Sequence, residues 1–258
     1  MEKSNRTLQI LNAASAVLMV IATALVFLYA PRERTMGEVQ RIFYFHVPSA
    51  WVSFLAFYVT FVAGTLVLSQ GRGNVRQLAI AAAVSVAIAA VSGLTYRGLD
   101  ESVRLKPMLL YTAAATGALG LYFLSLLIGI SMRHEAHYWE MVGVSSVEVG
   151  LVFTVMTIIT GSIWARPAWN TWWTWDPRLT TYTIMALIYV AYLMLRQGID
   201  DPERRARFAA VYGIVGFISV PITFMSIRWW RTIHPVLIGY DVIFIAVAFM
   251  VFDYVVEE

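Results

Sequence analysis

Eight long apolar runs, at roughly 8–30, 47–69, 78–95, 108–130, 143–164, 179–195, 208–227 and 236–252, take up most of the chain and decide what it can fold into. Each has about the 20 residues a helix needs to cross a hydrocarbon core. Within lipid only helices and closed barrels satisfy their own backbone polar groups, so runs of this length are expected to be helical spans. Composition agrees. Only 14% of the 258 residues are charged, against about 25% in soluble domains, too few to cover a globule in water. The expected fold is all-α: a polytopic transmembrane bundle of about eight spans, forming a single domain over residues 1–258.

The first run follows Lys3 and Arg6 and so imitates a signal peptide. It is too long for an h-region, and a cut after Ala30 would leave Pro31 at the new terminus, so it reads as an uncleaved anchor. Eight spans put both termini on one side, with the connections after spans 1, 3, 5 and 7 on the other. Lys and Arg divide almost evenly between the two sides, so the positive-inside rule gives no orientation. The charged stretch from Asp200 to Arg207 reads as a cytoplasmic loop and favours termini inside. With no cysteine, the chain has no disulfide, thiol chemistry, Cys-ligated zinc, iron–sulfur cluster or CxxCH haem attachment of its own. It carries no GxxxxGK phosphate loop, and a net charge of +3 does not point to nucleic acid.

Five of the nine tryptophans fall between Trp164 and Trp175, in Trp164-Ala-Arg166-Pro167-Ala-Trp169-Asn-Thr-Trp172-Trp173-Thr-Trp175-Asp176-Pro177-Arg178. Pro167 and Pro177 are expected to stop the helices on either side. An aromatic belt spreads its residues over both interfaces. Five in one connection make an aromatic platform instead, suited to a large flat ligand. Arg166 and Arg178 flank it and are able to pair with carboxylates at the ligand's rim. Asp176 reads equally as a loop-ordering residue or as a plain N-cap.

His46 and His234 each precede a proline at the start of a span, and parity puts both on the face of the tryptophan loop. Taken singly, each reads as an interfacial anchor. Together, beside that loop, they look like axial haem ligands, because a helix N-terminus disfavours imidazolium and neutral imidazole is the form that ligates iron. Arg228-Trp229-Trp230-Arg231 adds aromatic surface and cations next to His234, and Arg41 does so near His46. His134 and His137 read as a solvated loop. Glu148 falls inside a span, where a carboxylate is a functional candidate by default; a structural hydrogen bond is equally compatible, and it is left unassigned.

The chain resembles the haem-handling WWD family of cytochrome c biogenesis, in particular its haem exporter protein C (CcmC) branch. Four segments carry the resemblance: Arg41-Ile-Phe-Tyr-Phe-His46-Val-Pro48-Ser-Ala-Trp51, Gly161-Ser-Ile-Trp164-Ala-Arg-Pro167, Trp172-Trp173-Thr-Trp175-Asp176-Pro-Arg178, and Trp229-Trp230-Arg231-Thr-Ile-His234. It implies a multi-pass protein of the inner membrane with cytoplasmic termini and the tryptophan loop on the extracytoplasmic face. It implies that haem b is bound between His46 and His234. The haem would contact Trp169, Trp172, Trp173, Trp175 and Asp176, with Arg166, Arg178 and Arg231 available to the propionates. Implied partners are a membrane-anchored haem chaperone, the subunits of an ATP-binding cassette transporter and a small single-span membrane subunit. The compact family pattern has six spans, so residues 76–137 read as an inserted helical hairpin; the resulting eight resemble the haem-lyase-type branch.

No hydrolytic triad or nucleotide site is visible, which favours binding and transfer over enzymatic catalysis. Two rivals remain on sequence grounds. A transporter with a tryptophan-lined site would hold a cationic small molecule by cation–π contact. A respiratory b-type cytochrome would place its histidines in mid-helix, unlike His46 and His234.

Overall fold

The computed structural model describes residues 2–29, 37–69, 136–230 and 232–233, with isolated positions at 83, 87, 90, 91 and 128. Every element of regular structure within these residues is helical. Helix α1 (Glu2–Ala24) runs on through a wider π turn at Leu25–Tyr29, and a 3-10 turn at Glu38–Ile42 leads into α2 (Phe43–Ser69). Then come α3 (Ala136–Trp169), α4 (Pro177–Gln197), α5 (Pro202–Gly216) and α6 (Ser219–Trp229). Among the described residues five stretches are long and apolar enough to cross a bilayer: Asn12–Tyr29, Glu38–Ser69, Ala136–Trp169, Pro177–Gln197 and Pro202–Ile227. The all-α, multi-pass membrane architecture is thus realised. The runs at 78–95, 108–130 and 236–252, and nearly all of the hairpin at 76–137, lie outside the described residues.

Several boundaries differ from the sequence reading. Helix α2 begins at Phe43, so His46 sits in its first turn and Pro48 lies inside the helix. A proline this early forfeits one backbone bond close to the end, where the penalty is least. At the other end of α3, Pro167 does not stop the helix, which continues to Trp169. Termination falls instead on Asn170, whose φ of 56° places it in the left-handed region that asparagine tolerates at helix ends. Of the charged stretch Asp200 to Arg207, only Asp200 and Asp201 lie in the connection, and the charges from Glu203 to Arg207 belong to α5. Asp201 caps α5, accepting from the Arg204 amide at 2.8 Å, and Pro202 occupies the first turn. His137 likewise lies in the first turn of α3, within the helix.

Helix α2 is the centre of the bundle, packed along α3 and against α5, while α4 closes on α6, α5 and α3. Water drives no apolar association inside lipid, so close approach and shared polar bonds must hold the helices together. Gly64 permits one such approach: a Cβ there would stand 2.9 Å from the Ala210 carbonyl oxygen on α5. Phe57 stacks flat on Tyr189, with centroids 3.6 Å apart, joining α2 to α4. Two buried hydroxyls reach across as well. Ser53 Oγ and Tyr182 Oη share a hydrogen bond of 2.7 Å, and Thr60 donates to the Gly143 carbonyl at 3.3 Å.

At the end of the bundle away from the tryptophan loop, Glu140 is buried where α3, α4 and α5 meet. Its carboxylate lies 2.8 Å from Arg196 Nη1, 3.8 Å from Arg205 Nε and 3.5 Å from His137 Nδ1. The carboxylate compensates two guanidiniums that are themselves partly withdrawn from water. Replacing Glu140 with Ala strands them, and breaking such a pair costs about 2–3 kcal/mol when burial is incomplete. Glu140→Ala is therefore expected to lower the thermal midpoint of the detergent-solubilised protein clearly, and Glu140→Gln to lower it less.

Candidate functional site

The other end of the bundle gathers the start of α2, the end of α3, the α3–α4 connection and the end of α6. His46 projects from the first turn of α2 against α3, with Nδ1 3.1 Å from the Thr157 carbonyl oxygen and 3.1 Å from Thr160 Oγ1. Gly161 makes this possible: a Cβ at that position would lie 2.9 Å from His46 Cε1. One turn further along α3, Trp164 is buried, its ring edge-on to Phe43 at 4.9 Å and to Trp169 at 4.8 Å. These three rings fasten the start of α2 to the beginning of the tryptophan loop.

Within that loop the indoles take different roles. Trp172 and Trp175 are exposed, at 58% and 76%, while Trp173 is half-buried and stands edge-on to Trp175 at 5.8 Å. Trp229 and Trp230, at the end of α6, are also exposed and lie edge-on to each other at 5.9 Å. The surface is a set of tilted rings, not a flat sheet.

Asp176 joins the loop to the segment before His234. Its carboxylate caps α4 by accepting from the Arg178 amide at 3.0 Å. It also accepts from Thr232 Oγ1 at 2.5 Å and from the Ile233 amide at 2.9 Å, and it is buried. The capping role is therefore present, together with a tie across 57 residues of chain. Arg178 reinforces the tie by donating from Nη1 to the Thr223 and Phe224 carbonyls of α6, at 2.5 and 3.2 Å. Trp51 adds an aromatic contact from α2 to Phe224 at 5.6 Å.

Of the arginines expected to meet carboxylates, Arg166 and Arg178 each commit a nitrogen to the protein itself. Arg166 donates to the carbonyl and side-chain oxygens of Asn170, at 2.7 and 2.9 Å, bracing the left-handed turn that ends α3. Arg41 pairs with Glu38 at 3.0 Å. His234 and Arg231 lie outside the described residues, as does His134. Glu148 is on the exposed side of α3, away from this end. Among the described residues no group of three or more His, Asp or Glu side chains is placed to hold a metal ion.

Sequence reasoning missed Thr157 and Thr160, because nothing in a threonine of a membrane helix advertises its partner. Gly161 and Thr232 were noticed only as parts of motifs.

The family description heme exporter protein C (CcmC) matches residues 71–238, well over half of the chain. The chain belongs to the heme exporter protein C family. The matched stretch contains the tryptophan loop and His234 and begins after His46. Similar proteins include heme exporter protein C of Bradyrhizobium diazoefficiens, 46% identical over 86 residues, which are 33% of each chain. Heme exporter protein C of Escherichia coli K12 is 29% identical over 160 residues, 61% of this chain and 65% of that one. Its counterpart in Paracoccus denitrificans is 31% identical over 141 residues, 54% of this chain and 58% of that one. The chain thus spans between a third and just under two thirds of the length of these relatives.

The Asp176 tie can be tested directly. Hydrogen bonds to a charged acceptor contribute about 1.5–3 kcal/mol each. Asp176→Ala is therefore expected to speed hydrogen exchange at the Ile233 amide about 10- to 100-fold while leaving mid-helix amides of α4 unchanged. Exchange measured on the detergent-solubilised protein checks this.

Proposed function

We propose that the chain binds haem b at the tryptophan-rich end of its bundle, with His46 and His234 as axial ligands, and passes it to a haem chaperone for cytochrome c assembly. The observation that carries this reading is the tie from Asp176 to Thr232 and Ile233. It draws the residue preceding His234 against the tryptophan loop, at the end of the bundle where His46 is held on α3. The family's name describes export of heme, which agrees with haem as cargo.

In this reading the indoles of Trp172, Trp173 and Trp175, with Trp169, meet the porphyrin. His46 and His234 approach the iron from opposite faces. Such ligation keeps the iron six-coordinate and limits reaction with oxygen, as suits a protein that carries haem without using it. The remaining nitrogens of Arg166 and Arg178, with Arg231, supply cations for the propionates. Haem brings its own reactivity to any covalent loading of the chaperone; the chain binds, orients and shields it. The site faces the extracytoplasmic side of the inner membrane, and the transfer partners are the chaperone, an ATP-binding cassette transporter and a small single-span subunit.

The test is the ultraviolet–visible spectrum of detergent-purified protein, with a pyridine haemochrome count, beside His46→Ala and His234→Ala. The expected result is a six-coordinate haem b spectrum that changes in both variants, with at least about tenfold weaker haem retention in each, because an axial ligand is lost. Absence of haem after reconstitution with hemin would sink the reading. Binding of a quaternary amine to the tryptophan site would then stand in its place.

A further inference from the structure

Two hydrogen bonds at Nδ1 of His46 favour a proton on that nitrogen. The Thr157 carbonyl oxygen has no hydrogen to give, so at 3.1 Å it can only accept from Nδ1. The Thr160 hydroxyl has a single hydrogen, which it donates along its own helix to the Met156 carbonyl at 2.7 Å. It therefore also faces Nδ1 as an acceptor, at 3.1 Å. Two acceptors on one nitrogen require an Nδ1–H, and a neutral imidazole then carries its lone pair on Nε2, at the far side of the ring.

Gly161 completes the arrangement. With the ring held at Nδ1, the Cε1 edge lies where any side chain at position 161 would collide with it, at 2.9 Å. The ring is thereby fixed in position by one residue and in tautomer by two others, all within one turn of α3.

We propose that Thr160, the Thr157 carbonyl and Gly161 are positioning residues for His46: they hold its imidazole as the Nδ1–H tautomer so that Nε2 is presented to haem iron, and they raise its strength as a donor. This rests on the reading of His46 as an iron ligand. A ligating histidine whose other N–H is hydrogen-bonded is the more basic ligand, and loss of such a partner typically weakens metal binding about 10- to 100-fold. A stronger donor also favours ferric over ferrous iron, so the clamp holds the reduction potential of bound haem down.

The experiment has two arms. In haem-free protein labelled with 15N-histidine, the His46 signals, identified by their disappearance in His46→Gln, are expected to report a neutral ring protonated at Nδ1. In haem-loaded protein, Thr160→Val is expected to bind haem about tenfold more weakly and to shift the midpoint potential upward, with Thr160→Ser restoring both. Gly161→Ala is expected to change the electron paramagnetic resonance g-values of the ferric haem, which respond to the orientation of the imidazole plane. A His46 ring protonated at Nε2, or a Thr160→Val protein equal to wild type in affinity and potential, would overturn the proposal. Nδ1 protonation in a protein whose haem spectrum ignores His46→Ala overturns it differently: the clamp exists, and it is the ligand reading that fails.

Discussion

The contact of α2 with α3 is the interaction on which the remainder depends. Inside a bilayer these helices gain nothing from expelling water, so their association rests on fit and on hydroxyl-to-carbonyl bonds such as Thr60 to Gly143. The same contact, followed to the tryptophan end, sets the His46 ring on Thr157, Thr160 and Gly161. A histidine at a helix start would otherwise sample several rotamers at the interface. Packing of the spans thus becomes, without a break, the geometry of the candidate ligand.

The second half of the site uses a different device. The residues before His234 are held by Asp176 through side-chain and backbone donors, and the end of α6 is held by Arg178 through carbonyls. An aspartate and an arginine two positions apart therefore pin one short segment by opposite polarities. The acid takes up an amide and a hydroxyl donor, and the base adds a bond to carbonyls of α6. Both face inward, so the polar residues of the Trp-Trp-x-Trp-Asp-Pro-Arg run act on the protein's own backbone, while the indoles beside them remain at the surface.

Much of this was legible in the sequence, and the parts that were not have a common cause. Apolar run length revealed the five described spans because lipid leaves a backbone few options. Parity grouped His46 with the tryptophan loop because every crossing of the bilayer reverses direction. Proline misled at Pro167, where the helix runs on for two more residues, and at Pro48, which lies inside α2 and not at its start. Asp176 was recognised as a possible cap, for which the neighbouring Pro177 is a local signal. Its bonds to Thr232 and Ile233 connect positions too distant for any local pattern to join. The same holds for Thr160, which in sequence is one more threonine in an apolar helix.

Helix α4 has 21 residues, so its axis is about 31 Å long, close to the thickness of a bilayer's hydrocarbon layer. At one end Arg178 is anchored to α6 and Asp176 to the segment that follows it, and at the other end Arg196 is anchored to Glu140 of α3. Bonded by charge at both ends, α4 cannot slide along its neighbours by one turn without breaking both sets of contacts at once. The tryptophan loop therefore keeps a fixed height relative to α3 and α6.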